Sequence, residues 1–288
     1  MTCDSIGGMC RWLAYSGSPV FLEDLLYKPA NSLVLQSTHS RLGAETMNGD
    51  GFGVGWYGNL ATPGVFLSTE RAWSDRNLRE LSAQIRSGRV FAHIRASTGS
   101  AVQKTNCHPF RHGRWLWMHN GLVAEFPAVR GELTLAVDPE LYPGIAGSTD
   151  SEVLFFLALT FGLDRDPPAA LGRTVGLVEE AGRRHGVRYP IQMTIALTNG
   201  ETTWAFRYSS EGRSRSLFHS EDVSTLRRQY PDDPNSHKLS DDARLVVSEP
   251  LGDLHGAWRE VPGSSYVVAR GGQEELRPFS ALTSAATG

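Results

Sequence analysis

The sequence has few cysteines, no long apolar run and no excess of basic charge. Its three cysteines, Cys3, Cys10 and Cys107, are too few for a disulfide framework and lack the paired spacing of metal ligands. The longest apolar run, residues 153–162, is about half of the roughly 20 residues that a membrane-spanning helix needs. A net charge of -3 provides no basic field for phosphate backbones. We therefore expect no membrane span and no nucleic-acid partner.

The ends of the chain also lack familiar signals. The start MTCDSIGG has neither the basic nor the apolar region of a signal peptide, so we expect a cytoplasmic protein. No repeat or linker divides the 288 residues, which favours a single domain over residues 10–278. Residues 279–288 are small and polar, and they are predicted to form a flexible tail.

Short runs rich in β-forming residues dominate the early and late parts of the chain, and helical patterns lie between them. Asp75 can cap one helix, Ser148 or Thr149 can cap another, and a third can begin at Pro167. This order favours a layered α+β fold, in which helices cover antiparallel sheets, over an alternating parallel sheet. The predicted strands are residues 51–57, 65–68, 89–94, 115–119, 191–197, 202–208, 244–248 and 266–269.

Residues 209–242 interrupt this pattern. They are rich in serine, arginine and aspartate and show little periodicity. They are predicted to form a long surface excursion, which either shapes access to a site or is a solvated insertion.

A glycine pattern in residues 53–58 matches the dinucleotide motif G-x-G-x-x-G but has the wrong context. A dinucleotide loop follows a strand and begins a helix, whereas these glycines lie inside a predicted strand. Gly51, Gly53 and Gly55 recur every second residue, so one face of the strand is bare and another part of the protein must approach it closely. We expect no cofactor.

Four histidines lie close together in the sequence, but their spacing is poor for a metal site. His108 and His112 are four residues apart, yet Pro109 disfavours the helix that would place both on one face. His93 and His119 alternate with apolar residues in strands, where structural histidines are commoner than ligands. We expect no bound metal.

Two short motifs carry groups suited to an amino-acid ligand. Arg95 ends an apolar strand and is followed by hydroxyl residues, so it can pair with a carboxylate or form a structural ion pair. Asn120 and Gly121 end another strand. They are typical of a hairpin turn, but an Asn amide beside a glycine N–H can also hold an oxyanion.

The polar segment before residue 153 carries a third such group. Thr149 and Glu152 have the spacing of a capping box, which would place Asp150 in the first turn of a helix. There the helix dipole keeps the carboxylate ionised, and it can pair with an ammonium group.

Cys10 is the preferred candidate nucleophile. Cys107 is adjacent to His108, but neighbouring residues on an extended chain point to opposite faces, so they make a poor dyad. Cys10 directly follows Met9. A chain that begins at Cys10 would carry its own base, an α-amino group with a pKa near 7.7–8.0.

Together these motifs resemble the class II glutamine amidotransferases, which are N-terminal-nucleophile hydrolases. Within that family the chain resembles the stand-alone group of ergothioneine-pathway and glutathione-degrading γ-glutamyl hydrolases. The matching motifs, in order, are MCR at residues 9–11, NGDGFGVGWY, HIRAST, NCHPF, WMHNGLV, STDSEV and SEPL at residues 248–251.

The resemblance implies a four-layered αββα sandwich and a role for each site residue. Cys10 would attack the side-chain amide of glutamine or a γ-glutamyl compound to form a thioester. Asn120 and Gly121 would hold the oxyanion, while Arg95 and Asp150 would bind the α-carboxylate and the α-ammonium group. An alternative is an ammonia-donating or non-catalytic subunit that is active only with a synthase partner; a peptidase is another possible partner protein.

The chain departs from the family at its start, because eight residues precede Met9. Translation beginning at Met9, removal of residues 1–9 as a propeptide, and a retained extension that blocks the base are the three explanations. We favour the first.

Overall fold

The computed structural model describes residues 10–42, 47–97, 100–232, 234 and 236–283. The expected N-terminal extension therefore lies outside the described residues. The strands are β1 Arg11–Phe21, β2 Phe52–Trp56, β3 Gly64–Ser68, β4 Arg86–Ile94, β5 Phe110–His112, β6 Trp115–Val123, β7 Ile191–Thr198, β8 Thr202–Ser209, β9 Phe218–Ser220, β10 Arg244–Val247, β11 Trp258–Glu260, β12 Ser265–Arg270 and β13 Gln273–Pro278. The helices are α1 Leu22–Leu26, α2 Leu33–Gln36, α3 Arg76–Gln84, α4 Phe126–Leu135, α5 Asp150–Thr160, α6 Pro167–Arg184 and α7 Val223–Gln229.

The strands form two antiparallel sheets. The first has seven strands in the order β11-β9-β10-β1-β4-β2-β3, and the second has six in the order β13-β12-β8-β7-β6-β5. Strand β1 is central in the first sheet, where Leu13 pairs with Val247 of β10 and with Ala92 of β4.

Alternating side chains of each sheet pack into two different hydrophobic cores. In β1, Trp12 and Ala14 pack between the two sheets, whereas Leu13 and Tyr15 pack on the outer face under α1, α2 and α3. Side chains of the second sheet also alternate between an inner and an outer core, and helices α4, α5 and α6 cover its outer face. Since a period of two separates the faces of a strand, this alternation builds a four-layered αββα sandwich, as expected.

The predicted helix starts are confirmed. Asp75 caps α3, where its side chain accepts from Leu78 N at 2.8 Å, and α6 begins at Pro167. Thr149 caps α5 through Glu152 N at 3.3 Å. The Glu152 carboxylate instead accepts from the N–H groups that precede Thr149, so only half of the expected capping box forms.

Two expectations about connecting segments need correction. Asn120 and Gly121 do not form a turn, because β6 continues through them to Val123 and pairs with β7. Residues 209–242 are not only a surface excursion, since they contain β9 and α7 and bury Leu217 and Val223 completely.

The last described residues lie against α6. Phe279 packs on Phe206 and Tyr208, and Leu282 N donates to Gly172 O at 2.9 Å. Within the described ranges, no helix is both long and apolar enough to cross a membrane.

Candidate active site

One cavity of about 690 Å³ is lined by all five residues that the sequence singles out. Cys10 directly precedes β1 and Arg95 directly follows β4, its neighbour in the first sheet. Asn120 and Gly121 come from β6 of the second sheet, and Asp150 is the first residue of α5. The fold therefore assembles residues from both sheets and one helix around a single space.

The Cys10 side chain is half-buried against the segment that follows β4. Its Sγ accepts from Ala96 N at 3.4 Å and lies 3.5 Å from Ala96 O. Burial raises the pKa of the Cys10 thiol, although the Ala96 hydrogen bond and the charge of Arg215 act against it. Because the neutral thiol dominates at neutral pH, nucleophilic attack needs a base.

The Cys10 carbonyl is held from two sides. It accepts from Asn120 Nδ2 at 2.9 Å and from Arg11 Nη1 at 3.1 Å. Arg11 Nε in turn pairs with Glu249 Oε2 at 3.0 Å, and both side chains are 1% exposed. These contacts fix the backbone of Cys10.

Glu249 is a positioning residue that sequence reasoning missed. Besides Arg11, its carboxylate accepts hydrogen bonds from Asn31 Nδ2, Ser40 Oγ, Arg41 N and Leu42 N. Burial opposes ionisation, but these donors and Arg11 hold the pKa of Glu249 below its usual value. The SEPL motif at residues 248–251 contains Glu249. Nothing in that motif indicates that its partner, Arg11, lies 238 residues away in the sequence.

Arg95 lines the cavity while remaining 4% exposed. Its Nη2 donates to Ser97 Oγ at 3.1 Å and to Ser100 Oγ at 2.6 Å. Among the described residues no carboxylate forms an ion pair with Arg95, so its guanidinium is suited to an anionic ligand. Thr98, one of the hydroxyl residues that follow Arg95, lies outside the described residues.

Gly121 occupies a position with no room for a side chain. A Cβ there would overlap Gln192 O of β7 and would lie 2.6 Å from His119 Nε2. The glycine is therefore required for close packing of β6 on β7, a reason independent of any oxyanion.

The Asp150 carboxylate is oriented by backbone groups. Oδ2 accepts from Val123 N at 2.8 Å, at the end of β6, and Oδ1 accepts from Ser151 N at 2.7 Å. The carboxylate thereby links the start of α5 to the end of β6. Oδ2 can accept a further hydrogen bond, so an ammonium group can still bind.

Three of the four histidines cluster beneath the cavity. The ring centroids of His93 and His108 are 4.3 Å apart, and His93 Nε2 lies 3.3 Å from His119 O. Burial lowers the pKa of His93 to about 3 and that of His119 to about 4, so both rings are neutral at neutral pH. In the part of the chain that the structure describes, no group of three histidine, cysteine or acidic side chains could hold a metal ion.

Cys107 lies outside the cavity lining and is completely buried. Its Sγ contacts Ser68 O at 3.4 Å, whereas the His108 ring stacks between His93 and Phe110. The two side chains therefore face different surroundings. Cys107 and His108 do not form a catalytic dyad, as expected from the sequence.

The backbone of His108 also explains the bare face of β2. A Cβ at Gly53 would overlap His108 O, so this position must be a glycine.

Arg215 is a second residue that sequence reasoning missed. Its loop joins β8 to β9 and is held by Ser216 Oγ, which donates to Ser248 O at 2.9 Å. Ser248 N donates to Trp12 O at 3.1 Å, two residues from Cys10. Burial lowers the pKa of Arg215, while the charge of Cys10 raises it. The low-periodicity segment thus supplies a cation whose charge acts on the Cys10 thiol.

Comparisons with known proteins point to one family. The family model described as glutamine amidotransferases class-II matches residues 27–284. The probable glutamine amidotransferase DUG3 of Saccharomyces cerevisiae is 33% identical over 293 residues, which cover 91% of this chain and 82% of that protein. A gamma-glutamyl-hercynylcysteine sulfoxide hydrolase of Mycolicibacterium smegmatis is 31% identical, covering 83% of this chain and 99% of that protein.

Solved structures that resemble this chain are also glutamine amidotransferases or their domains. A glutamine aminotransferase class-II domain protein from Silicibacter pomeroyi has a TM-score of 0.73 and 33% identity, with 95% of this chain and 100% of that chain covered. The glutamine phosphoribosylpyrophosphate amidotransferase of B. subtilis has a TM-score of 0.63 at 15% identity, with 95% of this chain and 50% of that chain covered. The second match concerns the fold alone.

Proposed function

Because the chain belongs to the class II glutamine amidotransferases and is thus an amidohydrolase of glutamine or γ-glutamyl compounds, we propose that Cys10 is its nucleophile. One observation carries this proposal: a thiol, an arginine without a carboxylate partner among the described residues, and an oriented carboxylate line the same cavity. Arg95 and Asp150, named here the glutamyl clamp, match the two charges of an amino-acid head group.

The proposed reaction has two halves. The α-amino group of Cys10 takes the thiol proton, and Sγ attacks the δ-carbonyl carbon of the substrate. The C–N bond breaks, the leaving amine or ammonia takes that proton, and a γ-glutamyl thioester remains. Water then attacks the thioester, which releases glutamate and restores the thiol.

Asn120 and Gly121 are the proposed donors to the oxyanion. Asn120 Nδ2 carries two hydrogens, of which one goes to Cys10 O, so the other is available to the negative oxygen. The same side chain would thus position the nucleophile and stabilise the charge that the attack creates.

The proposed base exists only in a chain that begins at Cys10. Translation from Met9, followed by removal of that methionine, would produce such a chain. We further propose that the enzyme works in a reducing cytoplasm, because its nucleophile is a free thiol. The proposal includes a partner protein, either a synthase or a peptidase. Hydrolysis of glutamine or a γ-glutamyl amide by the isolated protein would show that no partner is required.

The experiment is the intact mass of the natively expressed protein before and after treatment with a glutamine-analogue electrophile. We expect an N-terminus at Cys10 and one adduct, mapped by peptide digestion to that residue. The Cys10→Ala variant should form no adduct and should not hydrolyse glutamine or γ-glutamyl amides.

Cys107→Ala is the matched control, since its thiol is buried outside the cavity lining. It should retain most labelling and turnover. An adduct on Cys107, or turnover that survives in Cys10→Ala, would refute the assignment of the nucleophile.

A further inference from the structure

His119 and Ser151 form a buried polar pair next to the carboxylate of the glutamyl clamp. His119 Nδ1 lies 2.8 Å from Ser151 Oγ, which lies 3.2 Å from Asp150 Oδ1. All three residues line the cavity, yet His119 is 1% and Ser151 7% exposed. A continuous chain of polar atoms therefore connects the imidazole to the clamp.

The His119 ring is itself fixed in place. It belongs to β6, in which Ile195 of β7 is its partner, and it directly precedes Asn120. Its Nε2 lies 2.6 Å from where a Cβ of Gly121 would stand, so the ring fills the space beside the glycine of its own strand. The imidazole can therefore serve as a rigid support for Ser151.

The proton positions depend on the tautomer of the His119 ring. Ser151 Oγ donates to Asp150 Oδ1, since a carboxylate only accepts. Ser151 Oγ accepts from His119 in the tautomer that carries the ring proton on Nδ1. Burial keeps the pKa of His119 at about 4, so the ring is neutral and this tautomer is available to it. In that tautomer both hydrogen bonds run toward the carboxylate.

We propose that His119 acts through Ser151 as a positioning residue, which holds the Asp150 carboxylate in the orientation that binds the α-ammonium group of the substrate. This inference rests on the proposed role of Asp150. The ammonium group does not change during the reaction, so its contacts contribute equally to substrate and transition state. Loss of the support should therefore raise KM more than it lowers kcat.

The test measures ligand binding by protection of Cys10 in the natively expressed protein from the glutamine-analogue electrophile. Two protecting ligands are compared: L-glutamate, and glutarate, which lacks the α-ammonium group. In Ser151→Ala and His119→Phe, protection by L-glutamate should weaken about tenfold, as expected for loss of a hydrogen bond to a charged group. Protection by glutarate should change less than about twofold, a difference below about 0.4 kcal/mol.

Conservative variants separate positioning from packing. Ser151→Thr keeps the hydroxyl, and His119→Asn places an amide nitrogen near the position of Nδ1, so both should restore protection by L-glutamate. Ser82→Ala, a buried serine in α3, is the control for the loss of a buried hydroxyl.

Three results would overturn the inference: equal weakening for both ligands, no weakening in Ser151→Ala, or failure of both conservative variants to restore protection. If L-glutamate does not protect the wild-type protein at all, the clamp itself is wrong and the inference falls with it. The wild-type measurement thus distinguishes failure of the proposed function from failure of this step.

Discussion

Replacement of Glu249 by glutamine tests how the nucleophile is held. The substitution preserves the shape of the side chain but removes the charge that faces Arg11 at 3.0 Å. Because both groups are 1% exposed, the guanidinium would remain buried without the charge of Glu249. Removing one partner of such a pair costs about 3–5 kcal/mol.

The hydrogen bonds of Glu249 help to place the expected loss of stability within the range of about 3–5 kcal/mol. Its two oxygens accept from Asn31, Ser40 and two backbone N–H groups, and bonds to a charged acceptor contribute about 1.5–3 kcal/mol each. A glutamine keeps one accepting oxygen, so part of this network survives. We therefore expect a loss of about 4 kcal/mol, a large share of a total stability of about 5–15 kcal/mol.

The assay is equilibrium unfolding in urea of Glu249→Gln, Arg11→Met and the double variant. Since the double variant removes both charges, it should be more stable than the sum of the single effects predicts by about 2 kcal/mol or more. Glu201→Gln is the surface control. Its pair with Arg114 is exposed, so it should lose less than about 1 kcal/mol.

Two results would refute this reasoning. One is a loss in Glu249→Gln no larger than that in Glu201→Gln, which would mean that the buried charge is not desolvated. The other is additive behaviour of the two single variants, which would mean that Arg11 and Glu249 do not stabilise one another.

Three further predictions concern the site. Asn120→Ala should lower kcat for glutamine about 10²–10³-fold, or about 2.7–4 kcal/mol in the barrier, and a normal kcat would exclude it as an oxyanion donor. Arg95→Ala should raise KM for every γ-glutamyl substrate alike, because its contact ignores the leaving group; an effect confined to one substrate would contradict that role. Unfolding in urea should require less free energy at pH 5 than at pH 7, because unfolded histidines, with a pKa near 6.5, bind protons that His93 and His119 exclude when folded. The loss should be about 2 kcal/mol per histidine, and a flat profile would show that the rings are solvated.

A strand with both faces buried is predicted only where its residues strongly favour β structure. Strand β6 packs on both cores and is found at its predicted start, because its tryptophans at 115 and 117 are strong β formers. Strand β1 was missed because Leu13 and Tyr15 pack on one side while Trp12 and Ala14 pack on the other, which leaves no polar alternation. The short strand β9 was missed because three residues carry no period.

Each site residue could be found from the sequence because it belongs to a local motif. The sequence could not predict that these residues lie close together in the fold. Cys10 and Arg95 are neighbours because Arg11 pairs with Ile94 in the register of β1 and β4. That register depends on strand order, which a single sequence does not contain. Glu249 and Arg215 were missed for the same reason, since each reaches the nucleophile only through the fold.

The charges around the thiol explain why the N-terminus matters. Arg11 is neutralised by Glu249, which leaves Arg215 and Arg95 as the stronger influences on Cys10, yet burial outweighs both and raises the pKa of the thiol. A resting thiol that was already ionised would need no base, and an extension before Cys10 would then do little harm. With a protonated thiol, attack depends on an amine that titrates near pH 7.7–8.0, and only a chain that begins at Cys10 carries that amine beside Sγ. The burial of Cys10 therefore supports the proposal that a free N-terminus is required.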